Sequence, residues 1–425
     1  MPLIQSSRNI SPLDINKNVS IGVAFPLDST NMFKGTQTVK EQIKSNLLYI
    51  LLDRKLYLVQ FFHPNNGSIY NLNDQIAINA EANTSSTLYL KEDGNILTTL
   101  TNATSLNYNL TASSAGTHLL EFEVNDGTTT IIDSIYYTVN PPVNVVNPTI
   151  VGLVNGVNYI NDTTVIFQLY APQKEHIYVI GDFNNWEIDN AYLLNKDTTT
   201  DRFWIELTGL TSLQNHTYQY LIEAELRIAD PYSTIVLTES NDQYINNTTY
   251  PDLPVYPTGK TNHSVTLLKT GETEYDWQTT SFTKPKKTDL VIYELLIRDF
   301  DALHSFSAVK ERLDYLQGLG INAIEFMPLM EFDGNESWGY NPSFHMALDK
   351  YYGTKEAFKS LIDECHARGI AIIVDVAFNH ASGQNPYYRM WNTDNGNYGG
   401  QASADSPFFN ETATHSYSVF NGVRT

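Results

Sequence analysis

Cysteine is nearly missing from this chain: there is one, Cys365, in 425 residues. That excludes an intrachain disulfide and any cysteine-based metal cluster. Cys365 falls on the apolar stripe of an expected helix, where it serves as a small core residue. Basic charge is scarce as well. Lys and Arg total 26 against 47 Asp and Glu, a net charge of −21. Such a surface repels phosphate backbones and anionic lipids, so nucleic acid is not expected as a partner. Long apolar runs are lacking. The longest near the N-terminus, 47–52, is far short of the roughly 20 residues that cross a bilayer, so no membrane span is expected. The first residues also lack the basic and apolar regions of a signal peptide. There is no P-loop, no HExxH, no GxSxG and no GxGxxG after a strand, which removes the chemistries those motifs support.

Aromatic residues are plentiful, with 27 Tyr, 19 Phe and 5 Trp to offer flat apolar faces for stacking. The length leaves room for two to four domains. Residues 1–55 form an unassigned lead-in or the remnant of an upstream domain, with helix-forming residues over 38–52. From 56 to 140 short alternating strands follow one another, as in 120–124 and 135–139, with the hairpin signal NDG at 125–127 between them. About seven such strands predict an immunoglobulin-like β-sandwich. Residues 141–148, with PP and NP, read as a stiff linker. A second β-rich block spans 149–284. After KPKK at 284–287 the period changes over 289–425, where apolar runs at 290–297, 323–327 and 370–374 alternate with helical spacing at 309–316 and 354–365. That alternation predicts βαβ units and a parallel sheet.

The stretch IAIIVDVAFNH at 370–380 begins as a strand buried on both faces and ends in Asp375, Asn379 and His380. The first strand ends in RDF at 298–300, and the second leads through a long loop to SWGYNP at 337–342. Loops after parallel strands gather on one face of the sheet. Tryptophan and tyrosine beside histidine and aspartate suit a neutral polyol, with ring faces for stacking and polar edges for hydroxyls.

The block at 149–284 resembles the β-sandwich domains of carbohydrate-binding module family 48, through GDFNNW at 181–186, YxYxI at 218–222 and IADPY at 228–232. Trp186 could stack on a sugar, but beside such a turn the inward, core reading is favoured. Residues 289–425 resemble the first half of the catalytic barrel of the α-amylase superfamily, glycoside hydrolase family 13. The matching segments are VIYELLIRDF at 291–300, WGYNP at 338–342, YYGT at 351–354 and DVAFNH at 375–380. The fold so implied is multidomain: N-terminal immunoglobulin-like β-sandwiches, then an incomplete (β/α)8 TIM barrel of three strands. The resemblance implies that His380 hydrogen-bonds the sugar at the cleavage subsite, Tyr340 stacks on that ring and Asp375 organises the subsite from the strand end. Trp338 is balanced between core and sugar contact. Asn379 would give an oxygen to a structural calcium in those members that bind one, although calcium needs 6–8 oxygens. Leu296 stands where many relatives have His, so no role passes to it.

By the same resemblance the nucleophilic Asp follows the fourth barrel strand, the acid Glu the fifth and a further Asp the seventh. Retaining cleavage needs two carboxyl groups about 5–5.5 Å apart. Three strands precede Thr425, so the expectation is an α-glucan hydrolase of retaining type, acting on starch, glycogen or maltooligosaccharides. The nucleophile and acid/base are expected beyond Thr425, and this chain alone is expected to be inactive. Glu325 and Glu331 lie near the second strand end with nothing to pair them. A non-catalytic starch-binding protein and a pullulanase- or branching-type relative are the alternatives. Secretion or periplasmic display is expected from the starch-handling architecture alone.

Overall fold

The computed structural model describes residues 48–52 and 55–412. The chain divides into two compact units, Met1–Asn140 and Pro141–Thr425. The first contains strands β1 (Leu48–Leu52), β2 (Lys55–His63), β3 (Ser68–Asn71), β4 (Gln75–Glu92), β5 (Asn95–Thr111), β6 (Gly116–Asn125) and β7 (Thr130–Asn140). Helix was anticipated over 38–52. Residues 48–52 instead pair antiparallel with β2, and the rest of that stretch lies outside the described residues.

All seven strands belong to one connected sheet, ordered β1-β2-β4-β6-β7-β3 with β5 on β4. Two separate sheets would make an ordinary sandwich; here the long β4 is shared. Its first half pairs with β2 and its second half with β6. The register shifts between Glu81 and Ser86 mark the place where the strand changes partners. The two halves enclose one core, in which Phe61 of β2 meets Phe122 of β6 edge-on at 5.9 Å. The β4–β5 hairpin turns through Asp93 and Gly94, both at positive φ, as a two-residue turn requires.

The second unit opens with β8 (Gly156–Asn161), β9 (Thr164–Tyr170), β10 (Ile177–Gly181), β11 (Asn195–Asp197), β12 (Arg202–Thr208), β13 (His216–Ile222), β14 (Leu226–Ile228), β15 (Val236–Leu237) and β16 (Val265–Leu268). They form two antiparallel sheets, β11-β12-β9-β8 and β10-β13-β16-β15 with β14 on β13. The motifs of this block hold one another. Tyr218 and Tyr220 both donate to Asp230 Oδ2, at 2.8 and 3.1 Å, while Asp230 Oδ1 accepts from the Tyr232 N–H at 2.7 Å. Three donors thereby serve this buried carboxylate. In GDFNNW, Asn184 Oδ1 accepts from Gly181 N at 2.8 Å and its amide donates to Val179 O. A Cβ on Gly181 would lie 2.5 Å from Thr217 O. Trp186 is buried against Tyr178, Leu221 and Tyr256, so the motif closes a core rather than offering a surface.

Three parallel strands follow: β17 (Ile292–Leu295), β18 (Ala323–Phe326) and β21 (Ala371–Val374), ordered β17-β18-β21. Between them run α1 (Ile297–Phe300), α2 (Phe306–Glu311), α3 (Leu313–Gly318) and α4 (Lys355–Ala367). The helix anticipated over 309–316 is two helices, broken at Arg312. Thr354 caps α4 by accepting from Ala357 N at 3.1 Å, and Gly369, at φ +74°, ends it. Leu295, Phe326, Leu361 and Cys365 meet in the core between helices and sheet. The first strand was expected to be buried throughout. It is not: Ile292 and Glu294 lie on the other face of the sheet and are exposed.

Candidate functional site

The loop after β18 is not a plain loop. It folds into an antiparallel hairpin, β19 (Met330–Phe332) with β20 (Pro342–Leu348), whose tip at 333–341 contains Trp338 and Tyr340. Gly339 lets the tip lie back over the end of β18. Its φ is +87°, and a Cβ there would be 2.4 Å from Pro328 O and 2.8 Å from Pro328 Cβ. Only glycine satisfies both conditions. The tip is also fastened from beneath. Ser337 Oγ accepts from Gly339 N at 2.9 Å and donates to Asn341 Oδ1, while Asp333 accepts from Ser343 and Ser382.

The ends of β18 and β21 meet in a chain of hydrogen bonds. The Tyr340 hydroxyl donates to Asp375 Oδ2 at 2.5 Å. His380 Nε2–H donates to the Tyr340 carbonyl at 2.6 Å, which sets the ring's tautomer when it is neutral. From β20, His345 Nε2–H donates to the His380 carbonyl at 3.2 Å. Asp375 is anchored in turn by its N–H to Phe326 O at 2.9 Å. Tyr340, Asp375 and His380 are thus one connected group. The hydrogen bond to the Asp375 carboxylate, with burial second, pushes the Tyr340 phenol up to about 12; Glu294 and Glu325 add to the negative field there. Burial holds the His345 imidazole below its ordinary range. His380 Nδ1 is buried and without a hydrogen-bond partner among the described residues.

The other sequence candidates are placed differently. Trp338 is 61% exposed, which leaves its ring face open beside Tyr340, at 39%. Asn379 is exposed. Among the described residues no group of three or more His, Cys, Asp or Glu side chains gathers as a metal shell. Arg298 turns aside and forms a two-pronged pair with its neighbour Asp299, at 2.7 and 2.9 Å. Phe378, which no motif singled out, is 70% exposed, with its ring 6.0 Å from that of His345.

Glu331 is no partner for Glu325 at a strand end. It is buried and paired with Lys350, itself 2% exposed. Asp242, from the turn after β15, lies 3.4 Å from the same ammonium, as an ion pair without hydrogen-bond alignment. Asp349 completes the group, accepting from Phe332 N and Tyr351 N. Burial pushes Glu331 up to about 8 and Asp349 up to about 6; the neighbouring carboxylates add to the rise and Lys350 works against it. Burial alone would lower Lys350, but the three carboxylates outweigh it and hold the lysine charged. This group pins the base of the hairpin whose tip contains Trp338 and Tyr340.

The polar segment after His380 packs on the sandwich. Met390 and Trp391, at the end of α5 (Pro386–Met390), enter the core between its two sheets. Arg389 donates to Arg227 O at 2.8 Å, and Lys174 to Met390 O at 2.8 Å.

Residues 299–418 match the family model of the alpha amylase catalytic domain, and residues 155–233 match that of carbohydrate-binding module 48, the isoamylase N-terminal domain. Over these stretches the chain is similar to the α-amylase superfamily. The malto-oligosyltrehalose trehalohydrolase of Saccharolobus solfataricus is 39% identical over 114 residues, 27% of this chain and 20% of the relative. The 1,4-alpha-glucan branching enzyme GlgB of Nitrosomonas eutropha is 25% identical over 288 residues, 60% of this chain and 36% of the relative. Among solved structures, the pullulanase SAP of Group B Streptococcus in complex with maltotetraose aligns at 20% identity and TM-score 0.45, covering 82% of this chain and 50% of that one. The chain therefore spans from a fifth to about a third of the length of these two curated relatives. The hairpin of β19 and β20, with its tip WGYNP, and DVAFNH lie within the stretch matched to the α-amylase catalytic domain.

Proposed function

We propose that this protein acts on α-glucans, starch, glycogen or maltooligosaccharides, as a retaining glycosidase of the α-amylase superfamily. The observation that supports this reading most is the linked group Asp375–Tyr340–His380 at neighbouring ends of a parallel sheet, beside the exposed ring of Trp338. Tyr340 presents a ring face to a glucose unit, and its hydroxyl is held by Asp375 so that the ring cannot swing away. His380 contacts a sugar hydroxyl through Nε2, which exchanges the Tyr340 carbonyl for the ligand, since Nδ1 is buried. Asp375 steadies both. An aromatic plane with polar groups at its rim matches a pyranose, which has apolar faces and hydroxyl edges.

These are binding and positioning roles. Bond cleavage takes two carboxyl groups placed about 5–5.5 Å apart across the scissile bond, one as nucleophile and one as acid/base. The superfamily resemblance puts them after barrel strands four and five, so no cleavage role is assigned to Asp375, Glu325 or Glu331. On this reading the Tyr340–His380 group binds and positions glucan. Native electrophoresis through gels containing glycogen tests the binding. Retardation of the protein, reduced at least several-fold in His380→Ala and Tyr340→Ala, is the expected result; equal mobility with and without glycogen overturns the proposal.

A further inference from the structure

Arg298, Arg312 and Arg368 each pair with a carboxylate. Arg227 and Arg389 do not, although they are neighbours in space. Arg227 is on β14 of the sandwich, and Arg389 is on α5, in the segment that packs against it. Among the described residues neither has a carboxylate within ion-pair distance. A chain of net charge −21 thus leaves two adjacent cations unmatched. Charges drawn out of water are ordinarily paired, because solvation lost on burial has to be replaced.

Both arginines are held in place by neutral groups. Arg389 is 3% exposed; its Nε donates to Gly396 O at 2.7 Å and its Nη1 to Arg227 O at 2.8 Å. Its guanidinium lies 5.3 Å from the centre of the Tyr398 ring. Burial lowers this group to about 10, so it stays charged at neutral pH. Its Nη2 has no hydrogen-bond partner among the described residues. Arg227 is half-buried, and its Nε is enclosed and without a partner among the described residues. Of the carboxylates whose charge reaches the surrounding tyrosines, Asp333 accepts from Ser343 and Ser382, and Glu239 is exposed.

His263 completes the group from the segment before β16. Its backbone lies in the left-handed region at φ +63°, and its carbonyl accepts from the Tyr256 hydroxyl at 2.7 Å. Its Nδ1 meets the Tyr398 hydroxyl at 2.7 Å. Burial, then the two guanidinium charges, hold the imidazole down at about 4, so it is neutral at pH 7. With Tyr398 donating to Nδ1, the ring carries its proton on Nε2 and offers one more donor. Two fixed cations and a neutral donor lack only an anion. A carboxylate has two oxygens and is filled by one guanidinium fork. A phosphoryl group has three free oxygens and a charge near −2, which suits two forks.

We propose that Arg227, Arg389 and His263 form a binding site for a phosphoryl group, free or carried on a sugar, where β14 meets the segment 386–400. The site uses none of the residues assigned to glucan and stands or falls independently of that reading. An anion bridging both guanidinium groups also ties the segment after His380 to the sandwich.

Calorimetric titration of the full chain with inorganic phosphate, and separately with glucose 6-phosphate, at constant ionic strength tests the site. Saturable binding of at least one is expected, about tenfold or more weaker in Arg227→Gln, the loss that removal of a charge-assisted hydrogen-bonding group gives. The tighter ligand identifies the source. Proton NMR of the histidine signals reads the site without that variant. The signal absent from His263→Gln should titrate at higher pH in phosphate than in chloride, because the bound anion offsets the guanidinium charges. Arginines that serve only to clamp the segment would leave that midpoint unmoved. No binding of either compound, binding unaffected by Arg227→Gln, or an unmoved His263 midpoint overturns the proposal.

Discussion

Lys350 gives the sharpest physical prediction. Its ammonium is buried between Glu331 and Asp242, with Asp349 adjoining, and one oxygen of Glu331 already lacks a hydrogen-bond partner. Lys350→Met keeps the length of the side chain and removes its charge. Breaking a buried pair in this way costs about 3–5 kcal/mol, because the abandoned carboxylates stay out of water. For a unit of this size that is roughly a 6–20 °C fall in melting temperature. The cost depends on pH in a defined sense. A carboxylate whose folded pKa is raised can escape by taking up a proton, and Glu331 is already pushed up to about 8. The destabilisation should therefore be full at pH 9 and visibly smaller at pH 5. Adding Glu331→Leu to Lys350→Met should return much of the loss, since apolar replacement of both partners is often neutral. Urea unfolding of the full chain at the two pH values measures this. A Lys350→Met variant within 1 kcal/mol of wild type at pH 9 would refute the assignment of a buried charged cluster.

Further predictions concern the same hairpin. Gly339→Ala forces a left-handed residue and a contact with Pro328 O; it should weaken glycogen retention at least tenfold while costing only about 1–3 kcal/mol in urea unfolding. Tyr340→Phe keeps the ring and loses one hydrogen bond to Asp375, so retention should fall less than fivefold, against a larger loss in Tyr340→Ala. For Glu331 the sign of the pH effect follows from its raised folded pKa. The stability it contributes is present below about pH 4.5 and is lost as pH rises towards about 8, and Glu331→Gln should flatten that decline in a series of melting curves.

What the sequence displayed and what it hid follow from the range of the forces involved. The strands β18 and β21 announce themselves by their apolar runs, but β21 is not buried on both faces as the run at 370–374 suggested: Ile372 and Ile373 are half-buried and Val374 is exposed, because the face turned away from the helices is uncovered among the described residues. The cap at Thr354 and the stop at Gly369 are local backbone chemistry and were equally plain. GDFNNW, YxYxI and IADPY could be recognised as a set, and the structure supplies the reason: Asp230 takes the hydroxyls of Tyr218 and Tyr220. The β19–β20 hairpin was hidden. Its register is irregular, and its base is fixed by Lys350, a residue type whose ordinary place is in solvent. Glu331 was misplaced for the same reason, since its partner Lys350 sits 19 residues later in the chain and is itself paired with Asp242, far earlier. The docking of Met390 and Trp391 into the sandwich was also illegible, because no local pattern encodes a contact with strands some two hundred residues away. Tyr340, Asp375 and His380 could be named from their motifs. Their linkage, through a carbonyl and a hydroxyl, needed the fold.

The central claim, that this protein holds α-linked glucan through the Tyr340–His380 group, is tested most directly by isothermal titration of the full chain with maltoheptaose and, in parallel, with a β-1,4-linked oligosaccharide of similar length. Saturable binding of maltoheptaose, at least tenfold weaker in His380→Ala, and no comparable binding of the β-linked sugar are expected. Equal binding of the two sugars, or maltoheptaose binding untouched by His380→Ala and Tyr340→Ala, would contradict it.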